Sequence, residues 1–185
     1  MANKVEFGIN ELHVGTYTDN NGVVTLGTPY HQAGAVSFSP ETQSEQNTFY
    51  ADNIAYWSGY SGGTVEGDLE VAMFDDAFKT QFLGYETLTS GGLAAVKNPT
   101  KPNVYIAFQV EGDAESRRVI LYNCALGMIN RGYNTIEESK EPTTETLGVT
   151  CTGDNTSGVT MAVFKPADSG YDTLFTAPTA PEIAP

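Results

Sequence analysis

Residues 64–84 read TVEGDLEVAMFDDAFKTQFLG, and this stretch decides the fold. Val65, Leu69, Val71 and Met73 fall on one side of a period-two pattern, with Thr64, Glu66, Asp68 and Glu70 on the other. Alternation of that kind is the signature of a half-buried strand. The period then changes: Phe74, Phe78 and Phe82 recur every fourth residue, as on one face of an amphipathic helix. Asp75 suits the N-cap, Asp76 suits the positive end of the helix dipole, and Gly84 supplies a left-handed stop. Asp75 and Lys79 are one turn apart and can pair. A helix this short is not stable alone in water. Its aromatic face, anchored by Phe78 and Phe82, is therefore expected to close the open face or end of a sheet.

The rest of the chain supplies that sheet. Leu12, Val14 and Thr16 alternate with His13, Gly15 and Tyr17, and DNNG at 19–22 is a hairpin turn returning through Val23–Leu26. Ala35–Phe38 reads as a short strand, polar ETQSEQ follows, and TFYADNIAYW (48–57) is dense in aromatics. SGYSGG (58–63) reads as a flexible loop. Beyond the helix, Tyr85–Leu88 and Leu93–Val96 flank TSGG as a second hairpin, and KNPTKP is a breaker. NVYIAFQVEG is the strongest strand, with Val104, Ile106, Phe108 and Val110 on one face. RRVILYNC (117–124) is apolar on both sides, and 125–135 reads as irregular. Leu147, Val149 and Cys151 share a face, VTMAVF is the last strand, and DSGYDTLFTA offers a short helical turn. Many short strands with turns every 8 to 12 residues or so indicate a mainly β protein, a β-sandwich or barrel with one flanking α-helix. The 185 residues are expected to form one domain, with an extended polar arm over about residues 1–10 and a Pro-rich tail over about 176–185.

Charge narrows the functions. Nine Lys and Arg stand against 23 Asp and Glu, a net charge of −14. Phosphate binding needs basic residues, so nucleic acid is not expected as a bound partner, although an acidic surface can keep it at a distance. The opening MANKVEFGIN has no apolar signal-peptide core, and no run approaches the roughly 20 apolar residues of a membrane span. The expectation is a chain made in the cytoplasm, with Cys124 and Cys151 as reduced thiols; a single possible pair is no disulfide framework.

No catalytic chemistry is recognisable. His13 and His31 are far apart in sequence and lack a metal-spaced partner. The DNNG turn departs from a calcium loop, since its Gly comes too early and no Glu closes it. Gly62-Gly63 and Gly91-Gly92 open no helix, so neither cradles phosphate. Carboxylates are abundant, but nothing singles out a glycosidase pair. No catalytic, cofactor or metal residue is assigned. Two other features stand out. Tyr50, Tyr56, Trp57 and Tyr60 form an aromatic cluster that suits a protein contact, a sugar-stacking platform, or core residues plus a loop Tyr. Glu66, Asp68 and Glu70 form an acidic row, which is either an ordinary solvated face or a functional acidic surface. Three like charges in one row repel unless a cross-strand Lys or Arg compensates.

TFYADNIAYW, GDLEVAMFDDAFKTQFLGY, AFQVEGD, RRVILYNC and EPTTETLGVT, in that order and spacing, resemble the major tail protein, or tail tube protein, family of long-tailed non-contractile bacteriophages. The resemblance runs from near residue 3 to near residue 175. It implies a β-sandwich with one flanking helix and no catalytic residue or cofactor. It also implies hexameric rings stacked into a tube, inner strands joined into one barrel, and a channel through which DNA leaves the virion without specific binding. Implied partners are further copies of the chain and the tape-measure, terminator and tail-tip or baseplate proteins; no membrane is involved. Some members carry an additional immunoglobulin-like domain. On this reading Glu66, Asp68 and Glu70 face the channel, and Tyr50, Tyr56, Trp57 and Tyr60 lie between subunits. The alternatives are the tube of a contractile or type VI-like system, and a carbohydrate-binding β-sandwich using Tyr56, Trp57 and Tyr60.

Overall fold

The computed structural model describes residues 8–60, 62–133 and 142–183. Most of the expected N-terminal arm, the segment IEESKE and the last two residues of the tail lie outside the described residues. The strands are β1 (Gly8–Asn20), β2 (Val23–Leu26), β3 (Tyr30–His31), β4 (Ala35–Phe38), β5 (Glu41–Gln43), β6 (Gln46–Ala51), β7 (Ile54–Tyr60) and β8 (Thr64–Val71). After helix α1 (Asp76–Leu83) come β9 (Glu86–Thr87), β10 (Leu93–Ala94), β11 (Val104–Glu111), β12 (Arg118–Arg131), β13 (Glu145–Cys151) and β14 (Met161–Phe164). Ten strands join in one antiparallel sheet along the path β2-β1-β11-β12-β13-β8-β4, with β14 on β12, β3 on β1 and β5 on β8. β1 and β4 lie far apart along that path yet touch, so the sheet curls into a barrel-like shell. β9–β10 and β6–β7 are separate hairpins.

The inner face of the shell holds the main core. β8 contributes Val65, Leu69 and Val71, β11 contributes Val104, Ile106 and Phe108, and β13 contributes Leu147 and Val149. Two bulges keep the longest strands in phase with this core. On β1 the register slips between Asn10 and His13, at Glu11 with φ 52°, so that Ile9, Leu12 and Val14 all reach the same core. On β12 Asn123 (φ 53°) shifts the alternation from Val119 and Leu121 to Cys124 and Leu126. Asn accepts a left-handed backbone more readily than most residues, because its side chain hydrogen-bonds locally. Here it receives a bond from Asn103 Nδ2 (2.7 Å) and donates to the Gly153 carbonyl (2.9 Å). The opposite face of β11 and β12 carries Tyr105, Ala107, Ile120 and Tyr122, which form a second cluster with Tyr17 and Leu174.

The strand-to-helix stretch folds as its pattern predicts, with three differences. Phe74, Phe78 and Phe82 are all buried, with successive ring centroids 4.9 Å and 5.1 Å apart, the first pair stacked and the second tilted. Asp75 is the N-cap residue and Gly84 (φ 65°) ends the helix, but the Asp75 side chain makes no cap bond; it accepts the Tyr30 hydroxyl at 3.0 Å. Met73 is exposed, because the strand ends at Val71 and the chain turns before Phe74. Lys79 does not pair with Asp75. It reaches Glu145 (3.5 Å), whose buried carboxylate also accepts the Phe74 N–H (2.8 Å) and Arg131 Nη1 (3.0 Å). Glu145 thus ties the helix entry to β13 and β12. Glu145→Gln keeps the shape but loses the charge, and is expected to cost roughly 1–3 kcal/mol in a urea melt. A change below about 0.5 kcal/mol would mean the charge contributes nothing.

Three further expectations are corrected. β12 continues through 125–131, where irregular chain was expected; its alternation is broken in sequence by a register slip between Leu126 and Ile129, where Gly127 lies close against the Gly148 backbone. Residues 58–60 belong to β7 rather than to a loop. Cys124 and Cys151 are bonded, not free thiols. The β12–β13 register sets them opposite each other, both fully buried on the inner face. Closing a loop of this span contributes roughly 3–4 kcal/mol in the chain-entropy view. DSGYDTLFTA does wind into turns, with Tyr171 N–H on the Asp168 carbonyl (3.0 Å) and Thr176 N–H on that of Thr173 (3.0 Å).

Candidate assembly surfaces

The acidic row lies on the solvent side of β8. Glu66 and Asp68 are exposed and Glu70 is half-buried, while their strand neighbours Val65, Leu69 and Val71 point into the core. Pairing assembles a wider face from β4, β5, β8 and β13. Glu66 stands between Glu41 and Thr150, Asp68 opposite Gly148, and Glu70 opposite Thr146 and Ser37. Hence no cross-strand Lys or Arg answers the row among the described residues; a fourth carboxylate, Glu41, joins it. Glu41 was not legible, since only the β5–β8 register brings it there. Two hydroxyls relieve Glu70: Thr144 and Ser37 donate to it at 2.5 Å and 3.0 Å and hold its carboxyl below the usual range. The groove over this face is lined by Ser, Thr, Gln, Gly and carboxylate side chains plus Val149.

The aromatic residues lie on the β6–β7 hairpin, outside both cores. Asp52 and Asn53, both at positive φ (51° and 61°), form its turn, the backbone shape of a type I′ hairpin. The register pairs Phe49 with Trp57 and Ala51 with Ile54 on one face, and Gln46 with Tyr60, Thr48 with Ser58 and Tyr50 with Ala55 on the other. Tyr56 is the extra residue at the irregularity between these pairs. The Trp57 ring lies over Gly59, where a Cβ would meet it at 2.5 Å. Phe49, Tyr50, Ile54, Tyr56, Trp57 and Tyr60 are each at least 57% exposed. The cluster is therefore not core, and Trp57 stands apart from Tyr50 and Tyr60. Phe49 and Ile54 complete its apolar face; reading Asp52-Asn53 as a turn would have found them. Among the described residues no three His, Cys, Asp or Glu gather to hold a metal, and no helix is long and apolar enough to cross a membrane.

A curled antiparallel sheet with one aromatic helix, an unanswered acidic face and an uncovered hairpin describes a part made to be joined to other parts. The sequence model of the family "Phage tail tube protein" matches residues 2–162. The chain belongs to this family and is a structural subunit of a tail tube. Among solved structures it is similar to a chain in the anti-feeding prophage cap, a tube-terminating cap, with TM-score 0.51, 9% identity, and 87% of this chain and 93% of that one covered. It is also similar to a chain in the anti-feeding prophage baseplate, with TM-score 0.51, 12% identity, and 90% and 99% covered. At such identities the likeness is one of fold. No curated protein matches the sequence.

Proposed function

We propose that the 185 residues form one tube domain that assembles into hexameric rings, stacked as the tail tube of a long-tailed non-contractile phage and conducting DNA at ejection. The observation that carries this reading is the β6–β7 hairpin. A two-stranded hairpin is marginal at best in water, and this one has six large apolar side chains uncovered. Neighbouring copies are the cover that a tube supplies, through Phe49, Tyr50, Ile54, Tyr56, Trp57 and Tyr60. Sheet edges that would otherwise invite uncontrolled pairing are joined between subunits in the same step. Tape-measure, terminator and tail-tip proteins bound the tube, and the subunit is made in the host cytoplasm before entering the virion. Negative-stain microscopy of concentrated protein, with tail-initiation proteins added, tests this: hollow tubes or rings are expected, and monomers alone would refute it. A sheath around those tubes would assign them to a contractile system instead.

Within that tube Glu66, Asp68 and Glu70 face the channel. DNA carries about one charge per 1.7 Å of axis, and screening confines repulsion to roughly 8 Å at physiological salt. The acidic wall therefore acts only near contact, where it keeps sliding DNA from sticking. A basic wall gains counterion-release energy at every contact and holds the DNA. Changing all three residues to Lys is expected to slow or stall genome ejection from tails that still assemble. Normal ejection kinetics from intact triple-Lys tails would remove the channel assignment.

A further inference from the structure

The two histidines that sequence separation kept apart are side by side. His13 on β1 pairs with His31 on β3, with ring centroids 4.9 Å apart. His13 is buried, and its other neighbour is the Phe175 ring, stacked at 4.5 Å and 11°. Phe175 belongs to the turn-rich segment that follows β14 and covers the second cluster through Leu174. Arg118 of β12 completes the arrangement. Its guanidinium lies 4.3 Å from the Phe175 centroid and 4.0 Å from that of Tyr171, and it donates to the Tyr171 carbonyl at 2.6 Å. The Tyr171 hydroxyl in turn donates to the Ser116 carbonyl at 2.7 Å. The C-terminal segment is thus fastened by stacking, by the Arg118 cation, by the Tyr171 hydroxyl and by the buried Leu174, with the imidazole of His13 as part of its seat.

We propose that residues 171–177 are a proton-operated clasp, closed over β1 and β12 while His13 is neutral and opened when His13 takes up a proton. His13 Nδ1–H donates to the Glu11 carbonyl at 2.8 Å, which leaves Nε2 as the atom that accepts the added proton. The charged groups acting on His13 are Glu11 on its own strand, His31 on β3 and Arg118 on β12; the C-terminal segment presents an uncharged phenyl ring. Burial lowers the affinity of His13 for a proton, with the charges of His31 and then Arg118 adding to it. Opposing this are the pull of the Glu11 carbonyl and carboxylate and that of the Phe175 ring face, which attracts an imidazolium as it does the Arg118 guanidinium. The open form titrates near the ordinary value of about 6.5 and the closed form lower, so below that pH the open form holds more protons. The closed form then loses ground as pH falls. Opening uncovers the part of the Tyr17, Tyr105, Ile120 and Tyr122 cluster that Leu174 and Phe175 cover.

Amide hydrogen exchange of the full-length subunit tests the clasp. The reporters are Leu174, Thr176 and Ala177, whose N–H groups bond within the segment. After correction for intrinsic rates, their protection is expected to fall by up to roughly tenfold between about pH 7 and pH 5.5. His13→Gln should remove that pH dependence, and His31→Gln should retain it. Unchanged protection in the wild type, or an equal fall in His13→Gln, overturns the proposal. Loss of the response in His31→Gln alone overturns the assignment to His13. Phe175→Ala provides a second arm that holds if His13→Gln does not fold. Removing the stacked ring should raise the NMR titration midpoint of His13 toward its ordinary value, and an unchanged midpoint sinks the idea.

Discussion

Phe78→Ala is expected to destabilise the subunit by about 3–5 kcal/mol, read as a lowered urea midpoint with an unchanged slope. Phe78 is fully buried between Phe74 and Phe82, with the Tyr30 ring 6.2 Å away. Truncation leaves a cavity among three remaining rings, Tyr30, Phe74 and Phe82. Those rings are held by three separate segments: β3 through Tyr30, the helix entry through Phe74, and α1 itself. The entry is fixed further by Gln32, which donates to the Met73 carbonyl at 3.2 Å and accepts the Asp75 N–H at 3.3 Å. A site so constrained collapses little, which favours the upper part of the range. Typical domains hold only about 5–15 kcal/mol in total, so the loss is a large share of stability. Phe82→Ala should behave alike. A loss under about 1 kcal/mol for either would show that the helix is not seated on the sheet.

Local pattern made most of the elements legible, and long-range register hid the rest. The period change at Phe74 places the helix, alternation places β8 and β13, whose apolar residues keep to one inner face, and β11 is legible from its unbroken apolar run, buried on both faces. β12 was legible only to Cys124. Asn123, just before it, and the slip after Leu126 each shift the phase, so a two-residue period cannot be followed through them. The disulfide was hidden for the same reason: only the β12–β13 register sets Cys124 against Cys151. The acidic row was readable as one face of β8. That it stays unneutralised depends on which strands flank it, and β5 brings Glu41 where a cation could have stood. The hairpin β6–β7 was read as aromatic but not as a hairpin, since Asp-Asn is a weaker turn signal than Asn-Gly.

Exposure of the hairpin has a direct optical consequence, because Trp57 is the chain's only tryptophan. In the free subunit the residue is 57% exposed, so its emission should be that of a solvated side chain. On assembly, if neighbouring copies cover the Phe49–Trp57 face, the emission should shift to the blue and become shielded from a soluble quencher. Counting both faces of the hairpin, five aromatic side chains more than half exposed offer roughly 600 Å² at about 200 Å² each, a large share of the about 800 Å² per partner in a standard interface. Phe49→Ser combined with Trp57→Ser removes the two cross-strand anchors of that face. Neither side chain belongs to a core, so the subunit's own stability should change by no more than about 0.5 kcal/mol. Assembly should suffer far more. At about 2 kcal/mol per anchor and 1.4 kcal/mol per tenfold, the concentration needed for tubes rises roughly 700-fold. Tyr60→Ser, on the opposite face, separates the two sides of the hairpin. Tubes forming from the double variant at the wild-type concentration, or Trp57 emission unmoved by assembly of the wild type, would show that copies meet through another surface.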